Sequence, residues 1–332
     1  MMSATEGALT GGVAFLLAAA LVPLLVRFAV GQNLLDVPNL RSSHEVPTPR
    51  LGGVAIILGV WAGFALTGFD GAWPLLVAAT LVGVMGLADD LSNLGFKVKA
   101  LAQTFVAAGL LLIYPPEIFS APGVLKVVVF AVGVFWIVAL SNAFNFMDGI
   151  DGFTGGVALV NVLFLASLAG EAGMALVALA GAVAGFLIWN ISPASIFIGD
   201  SGAYFLGFGL AVFALYAPLN GGEWTPLPFI ACVLVFTPYL FDTGYTLVRR
   251  LVARKNIFSA HREHVYQRIT PTAAMHRRTS NLYYVASVLA GFSALLVANG
   301  GAMMLAGIVL ALGLCIGLAL LPYLVGDNQG ST

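Results

Sequence analysis

Long, uninterrupted apolar segments are the feature that most restricts how this chain can fold. Eleven such segments alternate with polar connections, and most approach the roughly 20 residues that a helix needs to cross a bilayer. Because their apolar residues are continuous and do not alternate with polar ones, they predict membrane helices rather than a β-barrel. They cover residues 7–30, 51–68, 74–88, 99–114, 124–144, 154–170, 172–190, 196–217, 226–248, 281–299 and 301–323.

The composition agrees with this interpretation. Of the 332 residues, 60% are hydrophobic and only 9% are charged, whereas a soluble domain has about 25% charged residues. The expected fold class is therefore all-α, a polytopic integral membrane protein with about 11 transmembrane helices. The net charge of −1 gives no reason to expect a nucleic-acid partner. Cys232 and Cys315 stand alone in separate apolar segments and are interpreted as packing residues.

The basic residues predict the orientation of the helices. If the N-terminus is external, thirteen of the fourteen Lys and Arg residues fall in cytoplasmic connections and only Lys126 does not, which is a strong positive-inside bias. Arg27 follows the first apolar segment and no basic residue precedes it, so we interpret this segment as a retained helix. We expect a multi-pass membrane protein whose chemistry, if any, lies on the cytoplasmic face.

No separate soluble domain is recognisable, so residues 1–332 are treated as a single transmembrane domain. The groups that could act chemically are concentrated in five polar connections on the predicted cytoplasmic side. These connections are residues 31–50, 89–98, 142–153, 191–202 and 249–280.

The stretch from Ser141 to Gly152, which largely coincides with the third of these connections, directly follows an apolar run. It places Asn142, Asn145, Asp148 and Asp151 at steps of three, a spacing that brings side chains together on a helical surface. Carboxylates at membrane depth indicate a functional site. The alternative is a polar helix end in contact with water.

Three other acidic positions lie at the ends of apolar segments. Adjacent Asp89 and Asp90 repel each other, and a divalent cation or a shared proton would relieve that repulsion. Asp200 begins another helix, where it is either an N-cap or an oxygen ligand of the kind that Mg²⁺ uses together with substrate phosphates. Asp242 lies inside the ninth segment and is either a site residue or a partner of Arg249 or Arg250.

Two connections combine basic residues with histidine. The first contains His44 and Arg50 and runs into Gly52 and Gly53 at the start of a helix, where free backbone N–H groups suit an anion. For Arg41, a role in setting topology alone is equally reasonable.

The long connection after the ninth segment begins with basic residues that could attract anionic lipid headgroups, from Arg249 to Lys255. It continues with His261, Arg262, His264 and Arg268. The spacing of the two histidines would allow a metal, but no third ligand is nearby, so contact with a diphosphate is preferred. Acids, histidines and arginines on one membrane face predict Mg²⁺-dependent phosphoryl chemistry on a substrate from the cytoplasm.

Taken in order, these motifs resemble those of the polyprenyl-phosphate N-acetylhexosamine-1-phosphate transferases, the membrane family that includes the translocase of peptidoglycan synthesis. The eleven-segment pattern is similar to the branch that primes O-antigen and related polysaccharides. The motifs that carry the resemblance extend over nearly the whole chain and are Asp89-Asp90, Asn142-x-x-Asn145-x-x-Asp148-Gly-x-Asp151-Gly, Phe197-x-Gly-Asp200-x-Gly, a histidine loop and Pro47-Thr-Pro-Arg-Leu-Gly-Gly53.

The resemblance implies catalytic and metal-binding roles for particular residues. Asp200 matches the Mg²⁺ ligand, and Asp89 and Asp90 match a catalytic pair that also serves the metal, with Asp89 as base toward the lipid phosphate. His264 matches the first histidine of a catalytic cluster. The expected substrate-binding residues are His44, Arg50, Asn142, Asn145, Asp148, Asp151, Phe197, His261, Arg262 and Arg268. Among these, Phe197 matches an aromatic that stacks on uracil.

The activity implied is transfer of an N-acetylhexosamine 1-phosphate from a UDP-sugar to undecaprenyl phosphate, with release of UMP. The implied cofactor is Mg²⁺, with Mn²⁺ as a second option, and a homodimer is among the assemblies to consider. The family pattern has further histidines after the position of His264, where this chain has Val265, Tyr266 and Gln267; His261, Arg262 or Arg268 are the candidates to replace them. The usual serine after the Gly-Asp-x-Gly sequence is Ala203.

Two other functions were considered. An ion-coupled transporter would carry polar residues deep in several helices, whereas the acids here cluster at helix ends. A Mg²⁺-dependent membrane prenyltransferase would need two Asp-rich motifs, and Asp89-Asp90 with Asn93 forms only half of one. The sequence leaves open the sugar, the polysaccharide pathway, the oligomeric state, and the choice between direct attack and a phospho-aspartate intermediate.

Overall fold

The structure is a computed structural model that describes residues 4–38, 45–67, 73–121, 123–169, 176–216, 226–257, 259 and 261–326. His44, which the sequence predicts as a substrate-binding residue, lies outside the described residues. The described helices are α1 Ala4–Gly31, α2 Gly52–Thr67, α3 Trp73–Ser92, α4 Phe96–Ile113, α5 Leu125–Met147, α6 Phe153–Ala169, α7 Leu176–Asn190, α8 Gly199–Leu215, α9 Leu227–Val235, α10 Thr237–Val252, α11 Val265–Arg268, α12 His276–Ala298 and α13 Gly301–Gly326.

Strand structure in the described part of the chain is limited to one short antiparallel pair. Strand β1, Leu35–Asp36, pairs with strand β2, Thr48–Pro49. Two short 3-10 turns, Glu117–Ser120 and Ala273–Met275, complete the regular structure of the described residues. The all-α fold class predicted from the apolar segments is therefore confirmed.

The predicted number of membrane crossings is not confirmed. Each predicted segment overlaps a helix, but the ninth is divided into α9 and α10, which meet at an angle of 78°. Among the described residues, six helices are long and apolar enough to cross a membrane, or seven if this bent pair forms one span. The helices α2, α6, α7 and α8 are apolar but have at most 17 residues, which at 1.5 Å per residue falls short of a bilayer core of about 30 Å.

Helix α8 is the centre of the bundle, and its sequence of small and aromatic residues explains why. Fourteen of its 17 residues are buried, and it packs against α2, α3 and α5. A Cβ added to Gly53 of α2 would lie 2.1 Å from the backbone nitrogen of Gly202. A Cβ added to Gly86 of α3 would lie 2.5 Å from the carbonyl oxygen of Asp200. These glycines let α2 and α3 approach the first turn of α8, which brings the acidic end of α3 to Asp200.

A second close contact joins α1 to α7. A Cβ added to Gly181 would lie 2.1 Å from the carbonyl oxygen of Gly11, and one added to Gly185 would lie 2.3 Å from that of Phe15. Small residues that let backbones approach are a main source of helix association in membranes. The packing of α1 therefore depends on glycine, which has no Cβ atom, at positions 181 and 185 of α7.

Replacement of Gly181 by alanine tests this packing. The new methyl group meets backbone atoms that cannot rotate away, so Gly181→Ala is expected to lower the free energy of unfolding by about 1–3 kcal/mol. The matched control is Gly109→Ala in α4, because a Cβ there meets nothing within 4 Å. Thermal unfolding in detergent compares the two proteins. Equal melting temperatures would contradict this account of the α1–α7 contact.

Candidate active site

The first turn of α8 is held by a carboxylate from α3. The Oδ1 atom of Asp90 accepts a hydrogen bond from the backbone N–H of Asp200 at 3.1 Å, and its Oδ2 atom accepts one from Ser201 at 3.2 Å. The N-terminal amides of a helix lack partners within the helix, and the carboxylate of Asp90 accepts hydrogen bonds from two of these amides. Asp200 is therefore not the N-cap that the sequence allowed as an alternative, and its own carboxylate is directed elsewhere.

Asp89 and Asp200 share one cation, Lys99 of α4. The Nζ atom of Lys99 lies 2.5 Å from Oδ2 of Asp89 and 3.6 Å from Oδ2 of Asp200. The backbone N–H of Leu94 donates to the other oxygen of Asp89 at 2.6 Å. Because the two carboxylates converge in a partly buried site, their repulsion is offset by the ammonium group between them. The sequence did not single out Lys99 as a site residue. Lys97 and Lys99 are two positions apart at the start of α4, so their side chains point in different directions, and this difference is the signal that could have separated them.

Asp200 has an amide partner at the end of α5. The Nδ2 atom of Asn145 donates to Oδ1 of Asp200 at 2.9 Å, and Tyr204 donates its hydroxyl proton to Oδ1 of Asn145 at 3.2 Å. Asn142, one turn earlier, instead donates to Oε1 of the buried Gln103 of α4 at 2.7 Å. The spacing of three therefore does not bring all four polar residues to one place. Asn145 joins the carboxylate cluster, while Asn142 connects α4 to α5.

Asp151 is fixed by α12 and by the connection before α8. Its Oδ1 atom lies 3.3 Å from Nδ1 of His276, and its Oδ2 atom accepts from the backbone N–H of Ala194 at 3.2 Å. The hydroxyl of Ser280 donates to its carbonyl oxygen at 2.8 Å. Burial alone would raise the pKa of Asp151, but the hydrogen bond and the charge of His276 keep that pKa below its usual value. The residue therefore anchors the turn in which Asp148 lies.

Asp148 has a different environment from its neighbour. It directly follows α5, and withdrawal from water raises the pKa of its carboxyl group to about 7, although the nearby Thr154 acts in the opposite direction. A carboxyl group with this pKa can donate or accept a proton near neutral pH. It is suited to hydrogen bonding with a polar substrate edge.

The glycine loop, by which we mean residues 49–53 at the start of α2, is hydrogen-bonded to the segment before α8. The backbone N–H groups of Gly52 and Gly53 donate to the carbonyl oxygens of Phe197 and Ile198 at 2.9 and 2.7 Å, and Phe197 donates to Pro49 at 2.8 Å. The expectation that free amides at this helix start bind an anion is therefore wrong, since those amides already have partners.

Arg50 also has a partner in this region. Its guanidinium group is bonded to the carboxylate of Asp36 in β1, so a role in substrate binding would use only the part of Arg50 that remains accessible. The side chain of Phe197, whose backbone is fixed by the glycine loop, is partly exposed.

The histidine loop, residues 261–268, is held by contacts to two acids, Glu263 and Asp242. Arg249, Arg250 and Lys255 all contact Glu263, with Lys255 at 3.0 Å. Arg250 also donates to the carbonyl oxygen of Asn256 at 2.6 Å and is 4% exposed. These three residues are thus paired with Glu263, while the side chain of Lys255 remains 53% exposed, so contact of this segment with lipid headgroups stays a prediction.

Asp242 does not pair with Arg249 or Arg250, contrary to one of the two alternatives that the sequence offered. It is 0% exposed, and its Oδ1 atom lies 3.2 Å from Nδ1 of His264. The ring of His261 lies against that of His264, with 5.0 Å between centroids. Burial and then the neighbouring His264 and Arg250 lower the pKa of His261 to about 4, so its ring is neutral at physiological pH.

One proposed substitute for the missing histidines points elsewhere, and the side chain at one of the missing positions has another role. The guanidinium group of Arg268 lies over the ring of Tyr323 in α13 at 5.3 Å. Tyr266, at a position where the family pattern has histidine, stacks on Phe153 at 4.9 Å and donates to the carbonyl oxygen of Phe146 at 3.2 Å. Of the candidates, His261 is the one whose ring contacts His264.

Among the described residues, no group of three or more His, Cys, Asp or Glu side chains is arranged to hold a metal ion. Both oxygens of Asp90 accept backbone N–H groups, which leaves Asp89 and Asp200 as the convergent pair. A pair of convergent carboxylates with an amide on one side can hold a cation, and that cation can in turn bind the phosphates of a polyanionic substrate.

Comparison with known proteins identifies the class. Residues 72–217, which include α3, α5 and the start of α8, match the family model described as glycosyl transferase family 4. The chain is 31% identical over 257 residues to an undecaprenyl-phosphate alpha-N-acetylglucosaminyl 1-phosphate transferase of Thermotoga maritima, covering 75% of this chain and 78% of the relative. It is therefore an integral membrane protein that belongs to glycosyl transferase family 4.

Other relatives carry related names. A probable undecaprenyl-phosphate N-acetylglucosaminyl 1-phosphate transferase of Bacillus subtilis is 29% identical over 296 residues, covering 83% of this chain and 81% of the relative. A phospho-N-acetylmuramoyl-pentapeptide-transferase of Shouchella clausii is 32% identical over 227 residues, covering 60% of this chain and 70% of the relative. The family resemblance inferred from the motifs is thus confirmed.

The position of Lys99 between two carboxylates generates a prediction. Lys99→Met leaves the convergent acids without their cation, and we expect kcat for phosphosugar transfer to fall by about 100-fold or more, the size of effect seen when one electrostatic group is removed from an active site. Lys97→Met is the matched control, because Lys97 is exposed and lies two residues away on the same helix. Steady-state kinetics of both purified variants, with melting temperatures, provide the measurement. Similar activity in the two variants would remove Lys99 from the site.

Proposed function

We propose that this protein transfers an N-acetylhexosamine 1-phosphate from a UDP-N-acetylhexosamine to undecaprenyl phosphate and releases UMP. The observation that carries the proposal is the Asp89–Lys99–Asp200 cluster with Asn145, which lies at the helix ends of a family 4 chain. The names of the relatives support a polyprenyl-phosphate acceptor and an N-acetylated sugar phosphate. The product would initiate a cell-envelope polysaccharide such as O-antigen.

The proposed reaction exchanges one phosphoanhydride bond for another. A phosphate oxygen of the lipid attacks the phosphorus that carries the sugar, a new P–O–P bond forms, and the bond to the UMP phosphate breaks with its electron pair leaving on UMP. Positioning and charge neutralisation do most of the work in such transfers. Both oxygens of Asp90 accept the backbone N–H groups of Asp200 and Ser201, which disfavours Asp90 as the site of a phospho-aspartate, and we propose direct attack by the lipid.

Asp89 and Asp200 are the residues that we propose to hold a divalent cation, Mg²⁺ or alternatively Mn²⁺. Their convergence on an ammonium group fits a cation site, and Mg²⁺ commonly takes one or two carboxylates together with substrate phosphates. The cation would neutralise charge on the diphosphate. Asp90 would act by holding the first turn of α8, so that Asp200 stays in position, and Asn145 would fix the rotamer of Asp200.

The remaining polar groups divide between the nucleoside and the phosphates. Phe197 would stack on uracil, Asp148 would hydrogen-bond to the nucleoside, and Asp151 would hold the turn in which Asp148 lies. His264 and His261 would contact the diphosphate, and Asn142 would maintain the contact between α4 and α5.

We also propose that the site faces the cytoplasm of a bacterial inner membrane, with the N-terminus external. The distribution of basic residues over the connections supports this orientation. Labelling of a single cysteine introduced at Ser259 by a membrane-impermeant reagent applied outside intact cells would contradict it.

The reaction itself is tested with purified protein in detergent or nanodiscs. We expect UMP release from a UDP-N-acetylhexosamine that requires undecaprenyl phosphate, is abolished by EDTA and returns with added Mg²⁺. Direct attack also predicts no UMP release in the absence of the lipid. Full turnover in the presence of chelator would exclude the metal proposal, and absence of UMP across a panel of UDP-sugars would exclude the transferase.

The uracil contact gives a separate prediction. Phe197→Ala is expected to raise the dissociation constant of the UDP-sugar by roughly tenfold, because stacking of a base on an aromatic ring contributes about 1–3 kcal/mol. Affinity for the lipid phosphate should be almost unchanged. Titration of UDP-sugar with the folded variant measures the effect. A variant with lower thermal stability but normal nucleotide affinity would show that Phe197 only packs.

A further inference from the structure

The most completely bonded acid in the described part of the chain lies outside the carboxylate cluster. Asp242 of α10 is 0% exposed and faces five donors or ring nitrogens. The Oδ1 atom lies 2.8 Å from the backbone nitrogen of Val265, 3.2 Å from Nδ1 of His264 and 3.3 Å from the hydroxyl of Thr246; the Oδ2 atom lies 3.0 Å from the backbone nitrogen of Tyr266 and 2.6 Å from the hydroxyl of Tyr283.

This arrangement determines the proton position on His264. An ionised carboxylate only accepts hydrogen bonds, and the two backbone amides and the hydroxyls of Thr246 and Tyr283 can all donate to it. The fifth contact is satisfied when Nδ1 of His264 carries a proton. The other ring nitrogen, Nε2, then faces away from Asp242, and it can donate to a phosphate oxygen when it too carries a proton. A second group that fixes the tautomer and orientation of a functional histidine recurs in enzyme active sites.

The loop that carries His264 is fixed on both sides of the residue. Before it, Glu263 is bound by Arg249, Arg250 and Lys255. After it, the side chain of Gln267 accepts from the backbone N–H of His264 at 3.3 Å. A loop held in this way presents the imidazole in one orientation.

His264 also adjoins the carboxylate cluster through α5. The ring of Phe146 lies 6.3 Å from that of His264, and the preceding residue, Asn145, is bonded to Asp200. Consecutive Cα atoms are about 3.8 Å apart. One short segment of α5 thus contacts both the imidazole and the acids, so a diphosphate held by Asp200 would be near the imidazole.

We propose that Asp242 is a positioning residue that accepts a hydrogen bond from Nδ1–H of His264 and directs Nε2 toward the diphosphate of the substrate, to which Nε2 donates once it also carries a proton. This inference rests on the proposed function, because it gives His264 a ligand. Asp242 touches neither substrate nor metal and acts through His264 alone. Its effect on turnover must therefore disappear when His264 is absent.

A double-mutant cycle tests this dependence. Asp242→Asn keeps the shape of the side chain but replaces one acceptor oxygen by a donor, and we expect kcat to fall about 10- to 100-fold, as for other groups that orient a functional histidine. The KM for UDP-sugar should change by less than about threefold, on the view that orientation acts on the transition state. In a His264→Gln background the same substitution should have almost no further effect on kcat.

Tyr283→Phe is the matched control, because it removes a 2.6 Å hydrogen bond from the same carboxylate without touching the imidazole. It should lower the melting temperature while retaining most of kcat. If Asp242→Asn and Tyr283→Phe lose activity only in proportion to stability, or if the losses from Asp242→Asn and His264→Gln multiply, Asp242 is structural and the proposal is overturned.

A measurement on the unmodified protein covers the case in which Asp242→Asn does not fold. Nitrogen-15 NMR of histidine-labelled protein, with His264 assigned by the His264→Gln variant, distinguishes a protonated Nδ1 from a protonated Nε2. We expect Nδ1–H; a ring protonated at Nε2 alone overturns the proposal. Loss of UMP release in every preparation would instead refute the transferase, and normal turnover in His264→Gln would refute the role of His264 and with it that of Asp242.

Discussion

The hydrogen bonds from the first turn of α8 to the carboxylate of Asp90 are the contact on which the candidate site depends. They join the end of α3 to the start of the central helix, with donor–acceptor distances of 3.1 and 3.2 Å. Close packing at Gly86 makes this approach possible, since any side chain there would collide with the backbone of Asp200. As a result, Asp90 offers little binding capacity of its own but sets the distance between Asp89 and Asp200. The two adjacent aspartates thus have different roles because one faces a helix terminus and the other faces Lys99.

The same logic governs the other charges near the membrane. A buried charge is costly unless it is paired and hydrogen-bonded, and several charged groups around this site are paired within the protein. Glu263 gathers three cations, Asp151 binds His276, and Asp242 binds the histidine loop. Much of the polar sequence therefore builds a scaffold. The groups left to act on a substrate are fewer than a count of the charged residues suggests.

The sequence predicted the secondary-structure elements and the family, but it did not predict which side chains and backbone groups pair with each other. Continuous apolar segments predicted the helices and the all-α class, and the motifs predicted the family, because both depend on residue types in local order. The pairing of Lys99 with Asp89 and Asp200 could not be read from the sequence, since it depends on how α4 returns to α3 after the chain reverses. The amides of Gly52 and Gly53 looked available because nothing local indicated that the chain near Phe197 would occupy them. The number of spans stays a prediction, because apolarity alone does not distinguish a short, buried helix such as α8 from one that crosses the bilayer.

The histidine loop shows how a departure from a family pattern can be accommodated. At one position where the pattern has an imidazole, Tyr266 stacks on Phe153 and bonds to the end of α5, and Gly149 makes room for its hydroxyl group. That side chain therefore stabilises the connection between the loop and α5 and cannot also face the phosphates. The imidazole that contacts His264 comes instead from His261, three residues earlier, and its lowered pKa makes it a neutral hydrogen-bonding group. A neutral ring beside His264 adds no net charge to the proposed diphosphate site, so in the proposed reaction charge neutralisation falls mainly to Lys99 and to the cation proposed at Asp89 and Asp200.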